Sequence, residues 1–210
     1  MKALVIIGAG GFARECIWLI QQINAQFPQW EILGLIAPHK PDWNEKIPYL
    51  GTDEQAISRL PKACSFCIPI GQPNIRRSIA NRYETAGFLP ASLIHPAIRL
   101  APNIQLGAGS ILCAGSQLTV GINIGRHCII NLNCTIGHEA QIGDFCTLSP
   151  GSNLSGNVNI EHDCFIGSGT TVLPGISVVS HSIIGAGALL NQNISQPGTY
   201  VGVPARKIKE

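Results

Sequence analysis

From Ile94 to Leu190 the chain places a branched aliphatic residue at every sixth position without a break: Ile94, Leu100, Leu106 and onward to Val178, Ile184 and Leu190. A helix repeats its apolar face every 3.6 residues and a strand every two, so a strict hexad fits neither alone. It is the signature of a hexapeptide-repeat β-helix, in which each repeat supplies one short side of a triangular coil. Three repeats make a coil of about 18 residues, so the stretch from Leu100 to Leu190 predicts about five coils. A second register runs four residues behind the aliphatic and is mostly small: Ser110, Ser116, Cys128, Cys134, Ala140, Cys146 and on to Ala188. These small groups are expected to fill the corners beside the core. Glycines directly after the aliphatic, among them Gly107, Gly137 and Gly167, are expected where the chain turns.

The first 92 residues follow a different pattern. Ala3–Ile7 is an apolar run suited to a buried strand, Gly8–Gly11 is a turn, and the spacing of Ile17, Ile20 and Ile23 predicts a helix from Ala13 to Ile23. Further strands are expected at Glu31–Ile36 and Cys64–Ile70, and a helix at Asn74–Thr85 closed by Gly87. Strands alternating with helices imply a parallel sheet. The expected architecture is therefore an α/β Rossmann-like half-domain over residues 1–92 and an all-β left-handed parallel β-helix over 93–210.

Composition narrows the functions. Charged residues make up 12% of the 210, and the net charge is only +2, so neither nucleic acid nor a membrane surface is implied as partner. No apolar run reaches the roughly 18 residues of a membrane helix, and the short Leu4–Ile7 run is followed at once by glycines rather than a cleavage site. Eight cysteines without an export signal read as reduced thiols in a cytoplasmic protein. Cys128, Cys134, Cys146 and Cys164 share the small inward register, where a thiol acts as a compact hydrophobe. Cys64 and Cys67 have redox or zinc spacing, but no second pair accompanies them.

A β-helix is a scaffold, so function rests on polar residues that leave its register. Of six histidines, His39 and His95 sit beside prolines and read as structural, and His127 and His181 read as solvated corner residues. His138 is followed by Glu139 and preceded at seven residues by Asn131. One coil of 18 residues beyond it is Gly156, a neighbour about 4.8 Å away in a stacked coil. A base, an adjacent carboxylate and a glycine N–H free of side chain suit acyl transfer. The Gly8-x-Gly10-x-x-Ala13 pattern between strand and helix offers N–H groups to phosphates. Because no acid ends the second strand to hold a ribose, a sugar nucleotide suits it better than a dinucleotide, and a purely structural turn is the other reading.

These segments resemble the hexapeptide-repeat acetyltransferases of the sialic acid O-acetyltransferase type, which include enzymes that N-acetylate nucleotide-linked 4-amino-sugars. The likeness spans nearly the whole chain: the opening Val5–Gly11, the junction Leu93-Ile94-His95-Pro96, the Asn131…His138-Glu139 stretch, Leu154–Val158, and the closing Gly202-Val203-Pro204-Ala205-Arg206. The resemblance implies His138 as general base, Glu139 orienting its ring, and Gly156 N–H binding the thioester oxygen. It also implies Asn131 at the acceptor sugar, with Gly8, Gly10, Gly11 and Phe12 forming the acceptor-binding loop. Coenzyme A would lie along Ser168 and Ala186, with Gly202, Pro204 and Arg206 at its adenine end. Acetyl-CoA is then the co-substrate, no metal is needed, and a donor groove between β-helices implies a homotrimer. Nucleotide-sugar enzymes of the family carry acids after the second strand; here that place reads Ala37-Pro38.

N-acetylation of a nucleotide-linked amino-sugar is the leading expectation, and O-acetylation of sialic acid or another glycan hydroxyl the alternative. A zinc lyase on the same scaffold needs converging histidines, yet the gaps of 11 and 24 residues between His127, His138 and His162 scatter them. A non-catalytic trimeric scaffold is the remaining reading.

Overall fold

The computed structural model describes residues 1–43 and 46–208. In the N-terminal half, β1 (Lys2–Ile7), β2 (Trp30–Ile36), β3 (Ser65–Cys67) and β4 (Leu89–Pro90) form one parallel sheet in the order β2-β1-β3-β4. Helices α1 (Gly11–Gln26) and α3 (Pro73–Thr85) return the chain between strands, and a short α2 (Asp53–Arg59) precedes β3. The apolar runs of β1 and β2 are buried on both faces, as a sheet covered from two sides requires. The third strand is shorter than its sequence suggests, because Pro69 cannot donate to a ladder. The sequence reading missed α2, although Gln55 accepts from Thr52 N–H at 3.1 Å as in a capping box.

From Leu93 the chain winds through short parallel strands, each pairing with the one 18 residues away. Three faces result. The first runs through Leu93–Ile94, Ile129–Ile130 and Ile183–Ile184; the second through Gln117–Leu118, Thr135–Ile136 and Leu189–Leu190; the third through Gln105–Leu106, Gln141–Ile142 and Ser177–Val178. The coil makes about six turns, more than five because it begins at Leu93 and Thr199–Val201 adds a rung. The hexad aliphatics form its core, with Ile130, Leu148, Ile160 and Ile184 fully buried.

Two details of register differ from expectation. The glycines directly after the aliphatic do not make the turn. Positive φ falls two residues later, at every sixth position from Gly109 to Gly187, including His127, Asn133, Glu139 and Phe145. The earlier glycines are there for space: a methyl built on Gly137 would lie 2.5 Å from Gly156 N of the next coil. The corners also differ from one another. At the first–second and third–first corners the small side chains donate to the carbonyl 15 residues on, as in Ser116 Oγ to Asn131 O (2.7 Å) and Cys146 Sγ to Glu161 O (2.9 Å). At the second–third corner that place is held by Ile122, Val158 and Ile194, with Ala140 the one small residue among them.

The two halves are locked by buried polar contacts. Arg76 of α3 is 1% exposed, and its guanidinium donates to the carbonyls of His127 (2.8 Å) and Phe145 (2.7 Å) and to Thr147 Oγ1 (2.9 Å). Burial lowers its pKa to about 10, so it stays charged at neutral pH. Arg77 binds Asp163 through both oxygens, at 2.8 and 2.7 Å. His127 is not a solvated corner residue: it is 1% exposed, its ring is stacked 5.1 Å from Phe145 and 6.0 Å from Phe66, and its Nε2 meets Glu84 at 2.7 Å.

Candidate active site

His138 leaves the second face at the second–third corner, between Thr135–Ile136 and Gln141–Ile142. Its carbonyl accepts from Asn157 N–H at 2.7 Å, which fixes the backbone to the coil below. Glu139, next along, is held in the left-handed region at φ 61° by the coil geometry, and its N–H donates to Val120 O of the coil above. That backbone turns the carboxylate back to His138, with Oε2 3.4 Å from Nδ1. With the ring proton on Nδ1, beside the carboxylate, Nε2 is the acceptor atom. The Nε2 side of the ring lies over Gly156, where a built methyl would overlap Nε2 and Cε1. Gly156 is thus the residue that gives the ring its place. Among the described residues its N–H has no acceptor, while its carbonyl accepts from Gly175 N–H. An imidazole, a carboxylate and an open N–H therefore meet at one corner.

The other expected site residues do not join them. Asn131, Ser168 and Ala186 all lie at the first–second corner, across the second face from His138. A face is five or so extended residues wide, on the order of 15 Å. Asn131 Oδ1 accepts from Leu132 N–H at 2.7 Å. The glycine loop lies on the Asn131 side: α1 packs on the first face, and Phe12 joins the cluster that includes Cys113, Ile129 and Leu132. Gly8 has φ 128° and donates to Ile36 O, and a methyl on Gly10 or Gly11 would meet nothing within 4 Å. The α1 N-terminus carries no side-chain cap and no acid in its first turn, and although Ala13 N–H donates to Gly10 O the positive end of the helix favours an anion. Gly202, Pro204 and Arg206 belong to the tail that closes the coil, where Leu189 N–H donates to Gly202 O and Arg206 reaches Ala205 O.

Exposure separates the clusters further. The His138 and Glu139 side chains are 63% and 68% exposed, so in one chain the corner is open. A cavity of about 530 Å³ lies elsewhere, between the α3 N-terminus at Gln72 and Asn74 and the lower first face at Asp163, Phe165 and His181. It contains none of the candidate catalytic groups.

The cysteines are all free and buried. Cys64 and Cys67 pack into clusters on opposite sides of the sheet, so they share no ligand. Burial pushes Cys67 up to about 12, which keeps it a thiol. Among the described residues no group of three His, Cys, Asp or Glu side chains is placed to hold a metal, and no helix is long and apolar enough to cross a membrane.

Comparison with known proteins places these features. Residues 3–83 match the PglD N-terminal domain family. Across 100% of this chain and 97% of its own length, a GDP-perosamine N-acetyltransferase of Escherichia coli O157:H7 is 26% identical. The acetyltransferase domain of PglB from Neisseria gonorrhoeae FA1090, solved with acetyl coenzyme A, superposes with a TM-score of 0.88 at 28% identity over 99% of both chains. PerB from Caulobacter crescentus, solved with CoA and GDP-perosamine, superposes with a TM-score of 0.90 at 26% identity, over 100% of this chain and 98% of its own.

Proposed function

From its place among the hexapeptide-repeat acetyltransferases that carry a PglD-type N-terminal domain, to which this chain belongs, we propose that it acetylates the amino group of a nucleotide-linked amino-sugar, using acetyl-CoA. The carrying observation is the second–third corner, where His138 Nε2 lies over Gly156 and the Gly156 N–H has no partner among the described residues. The amine nitrogen attacks the thioester carbonyl carbon and gives its proton to His138 Nε2. Glu139 stands 3.4 Å from Nδ1, beside the imidazolium that forms. The Gly156 N–H donates to the oxyanion of the tetrahedral intermediate. Collapse breaks the carbon–sulfur bond, and the imidazolium returns the proton to the leaving thiolate of coenzyme A. The thioester is already activated, so neither a covalent enzyme intermediate nor a metal enters the scheme.

Asn131, Ser168 and Ala186 stand on the corner remote from His138, so a second copy must bring them to it. This supports a homotrimer whose donor groove lies between coils, closed by the Gly202–Arg206 tail. The relatives solved with acetyl-CoA, CoA and GDP-perosamine support the donor and acceptor classes. The acetyl group, the amine and the role of His138 are tested together by one variant. His138→Ala should lower turnover with a nucleotide-linked amino-sugar by about 10²–10⁴-fold and leave acetyl-CoA affinity within a few fold. Turnover at the wild-type rate would remove His138 from the chemistry.

A further inference from the structure

The carboxyl edge of the parallel sheet is where an open α/β unit receives its ligand, and its chemistry here is unusual. Beyond β2 the chain offers Ala37, Pro38 and His39, none of them an acid. The Ala37 carbonyl is already taken by Tyr49 Oη–H at 3.0 Å. Instead the loop after β2 reaches back with Trp43, whose Nε1–H donates to Ala9 O of the glycine loop at 2.9 Å. That bond fixes the indole beside the open Gly10 and Gly11. The Arg14 guanidinium, on the first turn of α1, stands 5.8 Å from the centre of the Trp43 ring. A planar cation over an indole occupies the kind of place a nucleobase takes on an aromatic side chain.

We infer that Trp43 is the platform for the nucleobase of the acceptor, which selects a purine over a pyrimidine nucleoside diphosphate. The inference rests on the reading of the N-terminal half as acceptor-binding. An indole face receives a base by stacking, and a purine offers a larger ring area than a pyrimidine. The charge of Arg14, on the first turn of α1, and the helix end both favour an anion there, which places the diphosphate beside the indole. The indole N–H, held by Ala9, sets the distance between base and phosphate subsites.

Calorimetric titration of the full chain with GDP, UDP and acetyl-CoA separately tests this without needing the amino-sugar. GDP is expected to bind about tenfold or more tighter than UDP, and Trp43→Ala to weaken GDP by about 5–100-fold while acetyl-CoA affinity holds. Trp43→Phe keeps a ring but loses the bond to Ala9, so it should retain the GDP preference with a loss of only a few fold. In turnover, Trp43→Ala should raise the acceptor KM and spare kcat. GDP affinity unchanged by Trp43→Ala, or UDP the tighter ligand, would overturn the platform and leave the acetyltransfer reading standing. Acetyl-CoA binding with no nucleotide binding at all would overturn the platform and the nucleotide-linked acceptor together.

Discussion

At the scale of single residues, the same positive-φ position of the coil serves opposite ends. Glu139 uses it to face His138 in the open, and His127 uses it to drive its ring between two aromatic rings. Burial outweighs the Glu84 carboxylate at His127 and holds its pKa below the ordinary value, with Arg126 and Arg76 acting in the same direction. A histidine neutral in the fold but free to protonate when unfolded makes the unfolded chain bind more protons as pH falls. Stability from this residue is therefore full above about 6.5, the ordinary histidine value, and is lost as pH drops toward the folded-state pKa. Melting temperature should fall between pH 7.5 and 5.5, and His127→Phe should flatten that slope. Phe145, one coil on, already holds a phenyl ring in this backbone conformation, at φ 60°. Equal slopes in the two proteins would show that His127 does not carry the effect. The residue was misread from sequence because the hexad gives a register position and says nothing of what docks against it.

At the scale of elements, two glycines one rung apart separate fold from chemistry. The methyl of Gly137→Ala would meet the backbone of Ser155 and Gly156, which cannot yield without shifting a rung. About 1–3 kcal/mol of stability should be lost, as for other overpacked sites. The nearest neighbours of the methyl of Gly156→Ala would be atoms of the His138 ring, an exposed side chain that can swing aside into solvent. That variant should melt near the wild-type temperature yet turn over about 10²-fold more slowly, the cost of a misplaced catalytic group. Thermal denaturation and initial rates on both proteins check the pair, and a Gly156→Ala enzyme with full activity would place the donor elsewhere. The hexad made the coil legible because one aliphatic per rung is a demand of the core that no other fold makes at that spacing. Its turn position was misplaced by two residues, since only half of the positive-φ sites carry glycine and Asn, Asp, His, Glu and Phe fill the rest. The Arg76 lock was invisible, because four of its acceptors lie on residues 51 to 71 positions away.

At the scale of the whole molecule, the decisive fact is the second face. It separates His138, Glu139 and Gly156 from Asn131, Ser168, Ala186 and the glycine-loop side of the N-terminal half. Sequence spacing put Asn131 seven residues from His138 and made them look like one site. Along a coil, seven residues carry the chain from one corner to the next, so the two side chains diverge. On the proposed assignment, with the base on one corner and the acceptor contact on another, a site forms only if neighbouring chains exchange corners, as cyclic symmetry permits. Mixing two inactive variants tests this. His138→Ala keeps its acceptor corner, and Asn131→Ala keeps its base. If each site takes His138 from one chain and Asn131 from the next, random trimers at equal mixing carry both intact groups in about a quarter of their sites. Co-refolded protein should then recover about a quarter of wild-type turnover, while either variant alone stays inactive. A site built within one chain would recover nothing on mixing, and that result would return Asn131 to a purely local role in capping its own corner.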